Sequence, residues 1–235
     1  MNKPTLQDDY FFSTYADSWW DDNSKMNNLA SFQPPRFEYF DRFVDRWEGK
    51  RVLDVGCGGG FTTEFLHERG AQVSGLDPSP KLIAAADRHA KQTGKQIEYT
   101  VGKSERLPYE DASFDIVTCV DVLEHVESPA QAVREIRRVL APGGVFLYDT
   151  INRTVRSRFV MIWIPENVIK IVPKGAHTWK DFIKPKEMRR YLLDAGLTPV
   201  GKSQGIAIYG SRKDGSLITR KTGDLSSIYM GVARR

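Results

Sequence analysis

The chain has little cysteine and no long apolar run. Its 235 residues include two cysteines, Cys57 and Cys119, without the spacing of a metal site, so we expect buried, reduced thiols. No stretch reaches the roughly 18–20 apolar residues of a membrane-spanning helix. The first residues, MNKPTLQDDYFF, lack the basic and apolar regions of a secretory signal. These absences predict a cytoplasmic protein that does not span a membrane.

Acidic residues are scarce in the last third of the chain. Residues 151–235 carry 17 Lys or Arg against six Asp or Glu, a net charge of +11 in a chain whose total is +4, which leaves −7 in residues 1–150. Such a basic region indicates either an anionic partner or a solvated basic face. No aromatic–basic RNA signature or zinc-finger spacing accompanies it, so we expect no nucleic acid and favour an anionic membrane surface as the partner.

A glycine turn follows the first predicted strand. The apolar run from Val52 ends near Asp54 and meets four glycines, at 56, 58, 59 and 60, before a helix-compatible segment. This order predicts a strand, a turn and a helix that bind a nucleotide-like ligand. Phe61 stands where the dinucleotide fingerprint G-x-G-x-x-G needs its last glycine, so a dinucleotide is disfavoured. A second predicted strand ends in Asp77, whose carboxylate could accept both hydroxyls of a ribose.

Asp54-x-Gly56-x-Gly58-x-Gly60 followed by Asp77 resembles the class I S-adenosylmethionine-dependent methyltransferases. The resemblance implies S-adenosylmethionine as cofactor and an α/β, Rossmann-like fold. It also implies that the loop after the third strand lies beside the adenine, where Ser104 or Glu105 could bond the amino group. Solvated loop residues would look the same. The expected cofactor-binding residues in these segments are Asp54, Gly56, Gly58, Gly60, Asp77, Pro78, Ser104 and Glu105.

Strand and helix patterns alternate regularly from residue 49 onward. Strands are predicted at 51–55, 72–76, 97–101, 114–120 and 145–150, and helices at 61–69, 80–93, 129–140 and 185–196, with a short helix after Val120 and a turn at 141–144. Two late strands, 199–209 and 226–233, should pair antiparallel at the sheet edge. We therefore expect a mostly parallel seven-stranded sheet with helices on both faces.

Four segments make up the expected domain organisation. Residues 1–48 are rich in aromatic side chains, among them Tyr10, Trp19 and Trp20, and end in a predicted helix over 36–47. They form either a helical lid, which would exclude water from the reacting centre, or a cap on the core. Residues 49–150 form the S-adenosylmethionine-binding core, 151–184 a basic and apolar insertion, and 185–235 a C-terminal helix and edge strands.

A second polar cluster follows the fourth predicted strand. If the segment is helical, Asp121, Glu124 and His125 lie at i, i+3 and i+4 on one face. Two carboxylates and an imidazole there suit a divalent cation. Similar sequences occur in methyltransferases without a metal, where they shape the cofactor pocket. Spacing alone leaves both interpretations open.

The chain resembles the UbiG family of ubiquinone-biosynthesis O-methyltransferases over most of its length. The residues that carry the likeness include Trp19-Trp20-Asp21, Pro35-Arg36, the 52–60 segment, Leu123-Glu124-His125-Val126, Asn152-Arg153, Val172-Pro173-Lys174-Gly175, His177 and Phe182-Ile183-Lys184-Pro185. The resemblance implies that Arg36, Gly56, Asp77 and Val120 contact the cofactor. It also implies that Asp121, Glu124 and His125 bind Mg²⁺, Mn²⁺ or Zn²⁺, with Asp121 in place of the family's usual glutamate.

The expected function is O-methylation of a phenolic or catechol hydroxyl on a polyprenylated quinone precursor. A catechol needs a base or a Lewis acid to yield its oxygen nucleophile, so the candidate catalytic residues are His125, His177 and Glu124. Two alternatives stay open. The first is a class I small-molecule methyltransferase that acts on a different oxygen or nitrogen nucleophile, and the second is a lipid-binding protein that retains a vestigial cofactor fold.

The most apolar part of the chain lies within the basic region. Residues 159–164 and 168–172 are largely apolar and Pro165 interrupts them, with basic residues around them: Arg153, Arg156, Arg158, Lys170 and Lys174. This segment is too short to span a bilayer. It is either an interfacial element, peripheral on the inner membrane, that admits a polyprenylated substrate, or a wall of the substrate pocket.

Overall fold

The computed structural model describes residues 11–22, 24–169, 177–212 and 216–235. Its described strands form one sheet in the order β3-β2-β1-β4-β5-β8-β6-β7. The strand bounds are β1 Arg51–Val55, β2 Gln72–Asp77, β3 Glu98–Val101, β4 Phe114–Cys119, β5 Leu140–Ile151, β6 Thr198–Ser211, β7 Leu217–Thr222 and β8 Ile228–Arg234. The first five strands run parallel, and β8, β6 and β7 add antiparallel pairings. The expected Rossmann-like α/β fold is confirmed, with eight strands among the described residues instead of the seven expected.

Helices cover both faces of the sheet. Their bounds are α1 Asn27–Ala30, α2 Gln33–Phe40, α3 Phe61–His67, α4 Pro80–Gln92, α5 Pro129–Val139, α6 Val155–Ser157 and α7 Pro185–Asp194, with a π-helix at Arg158–Ile169 and 3-10 turns at Ala16–Ser18 and Trp179–Asp181. Successive residues of a strand point to opposite faces. Val52 accordingly joins the core cluster that contains α2, whereas Leu53 joins the cluster that contains α5 and α7. The sheet is therefore buried on both sides.

Serine caps and prolines fix where α4 and α5 begin. The hydroxyls of Ser79 and Ser128 accept backbone N–H groups of Leu82 and Gln131, and a proline occupies the first turn of each helix. Because α4 follows β2 directly, its cap lies beside Asp77 at the carboxyl edge of the sheet. This edge is where ligands bind in open α/β sheets.

Three local predictions were wrong. The helix expected over 36–47 spans Gln33–Phe40 instead, because its two prolines fit the first helical turn, where no N–H partner is needed. No helix follows Val120; the segment forms turns, with Asp121 at φ 57°. The turn expected at 141–144 is an irregular start of β5, whose register against β4 shifts between the Phe114–Leu140 and Ile116–Val145 pairs.

Some sequence-based expectations concern residues outside the described ranges. Tyr10 in the aromatic segment, Lys170, and the Val172-Pro173-Lys174-Gly175 motif are among them. Within the described ranges, no helix is both long enough and apolar enough to cross a membrane.

Candidate active site

A cavity of about 350 Å³ opens at the carboxyl edge of the sheet. The N-terminal segment, the glycine turn, the turns after β4, the π-helix and the β6–β7 hairpin all contribute to its lining. Twelve of the predicted site residues line it: Arg36, Gly56, Gly58, Asp77, Pro78, Ser104, Glu105, Val120, Asp121, Glu124, His125 and His177. Asp54 and Gly60 are not among the lining residues. Residues far apart in the sequence therefore share one space.

The glycine turn brings backbone close to the cavity. Gly56 has φ 74° and Gly58 has φ 54°, a region that side chains disfavour. A Cβ on Gly56 would lie 2.2 Å from Val122 Cγ2, and a Cβ on Gly58 would lie 3.1 Å from the Trp19 ring. Glycine is therefore required at both positions by the backbone conformation and by the packing of Val122 and Trp19, and the turn lines the cavity with main chain.

Asp77 is fixed at the end of β2 by backbone donors. Its Oδ2 accepts the N–H of Gly58 at 2.9 Å, and its Oδ1 accepts the N–H of Ser79 at 2.9 Å. Each carboxylate oxygen has a second lone pair, so the group can also accept hydroxyl donors from the cavity. The arrangement fits the ribose of S-adenosylmethionine.

Asp54 and Gly60 support the turn from beneath. Asp54 is buried and accepts hydrogen bonds from the hydroxyls of Thr63 (2.7 Å) and Thr118 (2.8 Å). Burial raises the pKa of Asp54 to about 6, against the effect of these hydrogen bonds. Gly60, at φ 100°, precedes α3, and a Cβ there would lie 2.7 Å from the Tyr99 hydroxyl. Both residues are placed to hold the turn, and their cofactor-binding role stays a prediction.

Two tryptophans of the N-terminal segment lie on the glycine turn. A Cβ on Gly59 would come within 2.4 Å of the Trp19 ring, so the ring occupies the space that this glycine leaves open. Trp20 donates its indole N–H to the Gly59 carbonyl at 2.8 Å and stacks on His89 with ring centroids 3.6 Å apart. Trp19 also lines the cavity. The N-terminal segment thus covers the glycine-turn end of the cavity, and its role as a lid stays a prediction.

The loop after β3 is tied to the start of α5. Glu105 Oε1 accepts the backbone N–H groups of Glu127 (2.9 Å) and Ser128 (3.3 Å), and the Ser104 hydroxyl donates to Glu105 Oε2 at 3.0 Å. Both side chains nevertheless line the cavity. Their contact with the adenine stays a prediction.

Arg36 joins two carboxylates at the centre of the site. It donates from Nη2 to Asp121 at 2.6 Å and from Nε to Asp149 at 2.7 Å, and Asp149 also accepts the Asp121 backbone N–H at 2.7 Å. Burial alone would lower the pKa of Arg36, but the two carboxylates outweigh it and raise that pKa above its ordinary value. Burial raises the pKa of Asp149, although Arg36 opposes the shift. Arg36 therefore stays charged and fixes the turn that holds Asp121.

Asp149 was not predicted as a site residue. It lies near the end of β5, directly after the buried run Val145-Phe146-Leu147-Tyr148, and it is itself buried. An acid in such a run is costly unless it is paired, which is the one signal in the sequence that could have identified it. Its partner Arg36 lies 113 residues earlier in the chain.

Glu124, His125 and His177 meet on the same cavity. Glu124 is buried and accepts the Thr150 hydroxyl at 2.7 Å. Burial raises the pKa of Glu124, while the charge of protonated His125 lowers it. The rings of His125 and His177 have centroids 5.3 Å apart, and Phe12 of the N-terminal segment packs edge-on against His125. Two imidazoles and a carboxyl can therefore exchange protons with a ligand here.

The predicted metal ligands do not form a ligand set. The argument from one helical face was wrong because the segment is not helical, and the Asp121 carboxylate bonds Arg36. Among the residues that the structure describes, no group of three or more His, Cys, Asp or Glu side chains is arranged to hold a metal ion. The arrangement does not fit a metal bound by Asp121, Glu124 and His125 together.

Comparison with known proteins points to methyl transfer. A family model described as a methyltransferase domain matches residues 53–148. A protein of Idiomarina loihiensis named ubiquinone biosynthesis O-methyltransferase is 40% identical over 200 residues, which cover 85% of this chain and 80% of that relative. One of the same name from Burkholderia pseudomallei is 35% identical and covers 95% of this chain and 94% of its own.

Solved structures share the fold at low sequence identity. A SAM-dependent methyltransferase from Aquifex aeolicus is 18% identical with a TM-score of 0.61, over 86% of this chain and 93% of that one. A structure from Methanosarcina mazei, also described as a SAM-dependent methyltransferase, is 20% identical with a TM-score of 0.63. The match covers 84% of this chain and 96% of that one. At this identity the likeness concerns the fold alone.

Proposed function

Because the chain belongs to the family of ubiquinone biosynthesis O-methyltransferases, we propose that it methylates a phenolic or catechol hydroxyl of a polyprenylated quinone precursor. The chain is an S-adenosylmethionine-dependent methyltransferase, so the alternative of a non-catalytic lipid-binding protein is set aside. The observation that carries the proposal is that the glycine turn, Asp77 and the pair His125 and His177 line one cavity.

The cofactor end of the cavity suits S-adenosylmethionine. We assign the ribose to Asp77 and the methionine portion to the backbone at Gly56 and Gly58, because both glycines line the cavity next to Asp77. When bound, the cofactor supplies a sulfonium methyl group that moves in line to a nucleophile. The N-terminal segment, with Phe12 and Trp19 on the cavity, would exclude water from this centre.

The polar centre of the cavity would remove the hydroxyl proton. An imidazole titrates near neutrality, so His125 can accept the proton as the oxygen attacks the methyl carbon. The buried carboxylate of Glu124 would stabilise the imidazolium that forms. His177, whose ring lies 5.3 Å from that of His125, is the alternative base. The variants His125→Ala and His177→Ala distinguish the two. The histidine whose replacement lowers kcat while S-adenosylmethionine affinity is retained is the base.

A divalent cation is a separate hypothesis, and no step of this proposal passes through it. The resemblance to the UbiG family implies Mg²⁺, Mn²⁺ or Zn²⁺, but the Asp121 carboxylate already forms an ion pair with Arg36, whose positive charge would lie close to a bound cation. Chelation followed by addition of single ions tests the hypothesis. Loss of turnover that one ion restores would support it, and full turnover after exhaustive chelation would contradict it.

We also propose that the 151–184 insertion docks on an anionic membrane. Two of its aromatic residues, Phe159 and Trp163, stack on each other and are 51% and 49% exposed. Exposed apolar side chains beside basic ones suit an anionic lipid surface. Phe159→Ser and Trp163→Ser should reduce co-sedimentation with phosphatidylglycerol vesicles, while Leu193→Ser, at an exposed leucine of α7, should not. Equal sedimentation of all variants would contradict docking by this segment.

The nucleophile is tested with a matched panel of small molecules. We expect a prenylated catechol to be methylated with a higher kcat/KM than its analogue with an amine in place of the reacting hydroxyl. Preference for the amine would support the alternative of a different nucleophile and contradict the proposed function.

A further inference from the structure

Strands β6 and β7 form a hairpin that is part of the cavity wall. Strand β7 is the one strand of the described sheet that the sequence did not predict. The two strands pair antiparallel from Gly205 opposite Thr222 to Ser211 opposite Leu217, with a register shift between Ile208 and Gly210. Ile208 of β6 and Leu217 of β7 line the cavity. The edge of the sheet therefore reaches the same space as the glycine turn.

The N-terminal segment holds this hairpin in place. The hydroxyl of Ser31 accepts the backbone N–H of Leu217 at 3.0 Å, and its carbonyl accepts the Thr219 hydroxyl at 2.5 Å. Lys221 forms an ion pair with Glu38 of α2 at 2.6 Å. Because Leu217 is fixed through its own backbone, its side chain has a defined position on the cavity.

The part of the cavity next to the hairpin is apolar. Residues of the π-helix, the hairpin and β8 line it without a titratable side chain: Val160, Met161, Pro165, Ile208, Leu217 and Ile228. Met161 and Leu217 pack against the buried core cluster to which Ile228 belongs. An apolar ligand is the chemistry that such a lining binds, since a polar one would lose its hydrogen bonds to water there.

This apolar part continues to the surface of the protein. Ile208 lines the cavity and is nevertheless 39% exposed, and its neighbour Tyr209 is 65% exposed. A flexible chain longer than the cavity could therefore extend past Ile208. A compact aromatic ring without such a chain would leave these apolar side chains facing water.

We infer that Ile208 and Leu217 contact the first isoprene units of the substrate's polyprenyl chain and thereby select prenylated over unprenylated catechols. The inference rests on the proposed function and deepens it. It assigns the head group to the polar centre near His125 and the chain to the hairpin wall. The hairpin thus acts on specificity and takes no part in the proton transfer.

The test compares kcat/KM for a dihydroxybenzoate that carries a geranyl chain with kcat/KM for the same compound without it. The full chain and the variants Ile208→Ser and Leu217→Ser are measured, and calorimetry of S-adenosylmethionine binding checks that each variant is folded. Apolar contacts to a few carbons change kcat/KM by about tenfold or more. We therefore expect each variant to lower the preference for the geranyl compound by about tenfold.

Tyr209→Ser is the matched control, because Tyr209 is exposed beside Ile208 but does not line the cavity. It should keep the preference of the unaltered chain. An unaltered preference in both Ile208→Ser and Leu217→Ser, with methylation intact, would overturn this inference alone. If the unaltered chain methylates neither compound, the proposed function fails and the inference fails with it.

Discussion

Replacing Asp54 by asparagine should change how the stability of the protein depends on pH. Asp54 is buried at β1, and burial raises its pKa from the ordinary 3.8 to about 6, although hydrogen bonds from Thr63 and Thr118 oppose the shift. Between these two pH values the unfolded chain has lost the proton while the folded protein keeps it. The free energy of unfolding must therefore fall as pH rises through this window.

The magnitude follows from the two pKa values. The folded and unfolded pKa values of Asp54 differ by about 2 pH units. At about 1.4 kcal/mol for each pH unit, this difference corresponds to about 3 kcal/mol. The contribution of Asp54 to the free energy of unfolding should thus fall by about 3 kcal/mol as the pH rises from about 4 to about 6. Above about pH 6 this contribution should no longer change with pH. Asparagine does not titrate, so Asp54→Asn should lack this component.

Urea unfolding followed by tryptophan fluorescence, repeated from pH 4.5 to pH 8, measures the effect. Subtracting the two proteins' free energies removes the contributions of other buried acids such as Glu124, whose raised pKa acts in the same direction. Asp115→Asn is the control: Arg51 lowers the pKa of Asp115, so its titration lies below the window and the difference should stay flat. Parallel curves for Asp54→Asn and the unaltered protein would refute the reasoning.

Two further predictions concern the cofactor end of the cavity. Asp77→Ala should weaken S-adenosylmethionine binding by about 1–3 kcal/mol, through lost hydrogen bonds to the ribose and to the Gly58 N–H, and calorimetry showing unchanged affinity would contradict the assigned pocket. Gly59→Val should displace Trp19 and destabilise the protein by about 1–3 kcal/mol, whereas Gly223→Ala, at a position open to solvent, should have little effect on urea unfolding; equal stability of both variants would contradict the packing of Trp19 on the turn.

Local sequence patterns predicted most of the parallel core. The bounds of β1 agree at both ends, and α3, α4 and α5 begin at the predicted residues, because glycine turns, serine caps and first-turn prolines mark them within a few positions. The errors arose where pairing across the chain decides the structure. Strand β7 is mostly polar, and β6 and Ser31 provide its hydrogen-bond partners.

Most residues of the candidate site were predicted, but Asp149 and the hydrogen bonds that connect the site were not. Single segments identified Asp77 and the 121–125 cluster, and the structure brings them together with Arg36 and His177. Sequence spacing treated Asp121 as a helical ligand, whereas a buried arginine and Asp149 hold it in a turn. That network joins residues 85 and 113 positions apart, and spacing within one segment carries no information about it.

The position of the transferred methyl group shows whether the protein is an O-methyltransferase that acts on a prenylated catechol. S-adenosylmethionine with a deuterated methyl group would be incubated with a prenylated catechol and the full chain, and the product analysed by mass spectrometry and NMR. We expect one deuterated methyl group, bound to a ring oxygen, and a strongly reduced yield with Asp77→Ala. A label on carbon or nitrogen, or no transfer to any catechol, would contradict it.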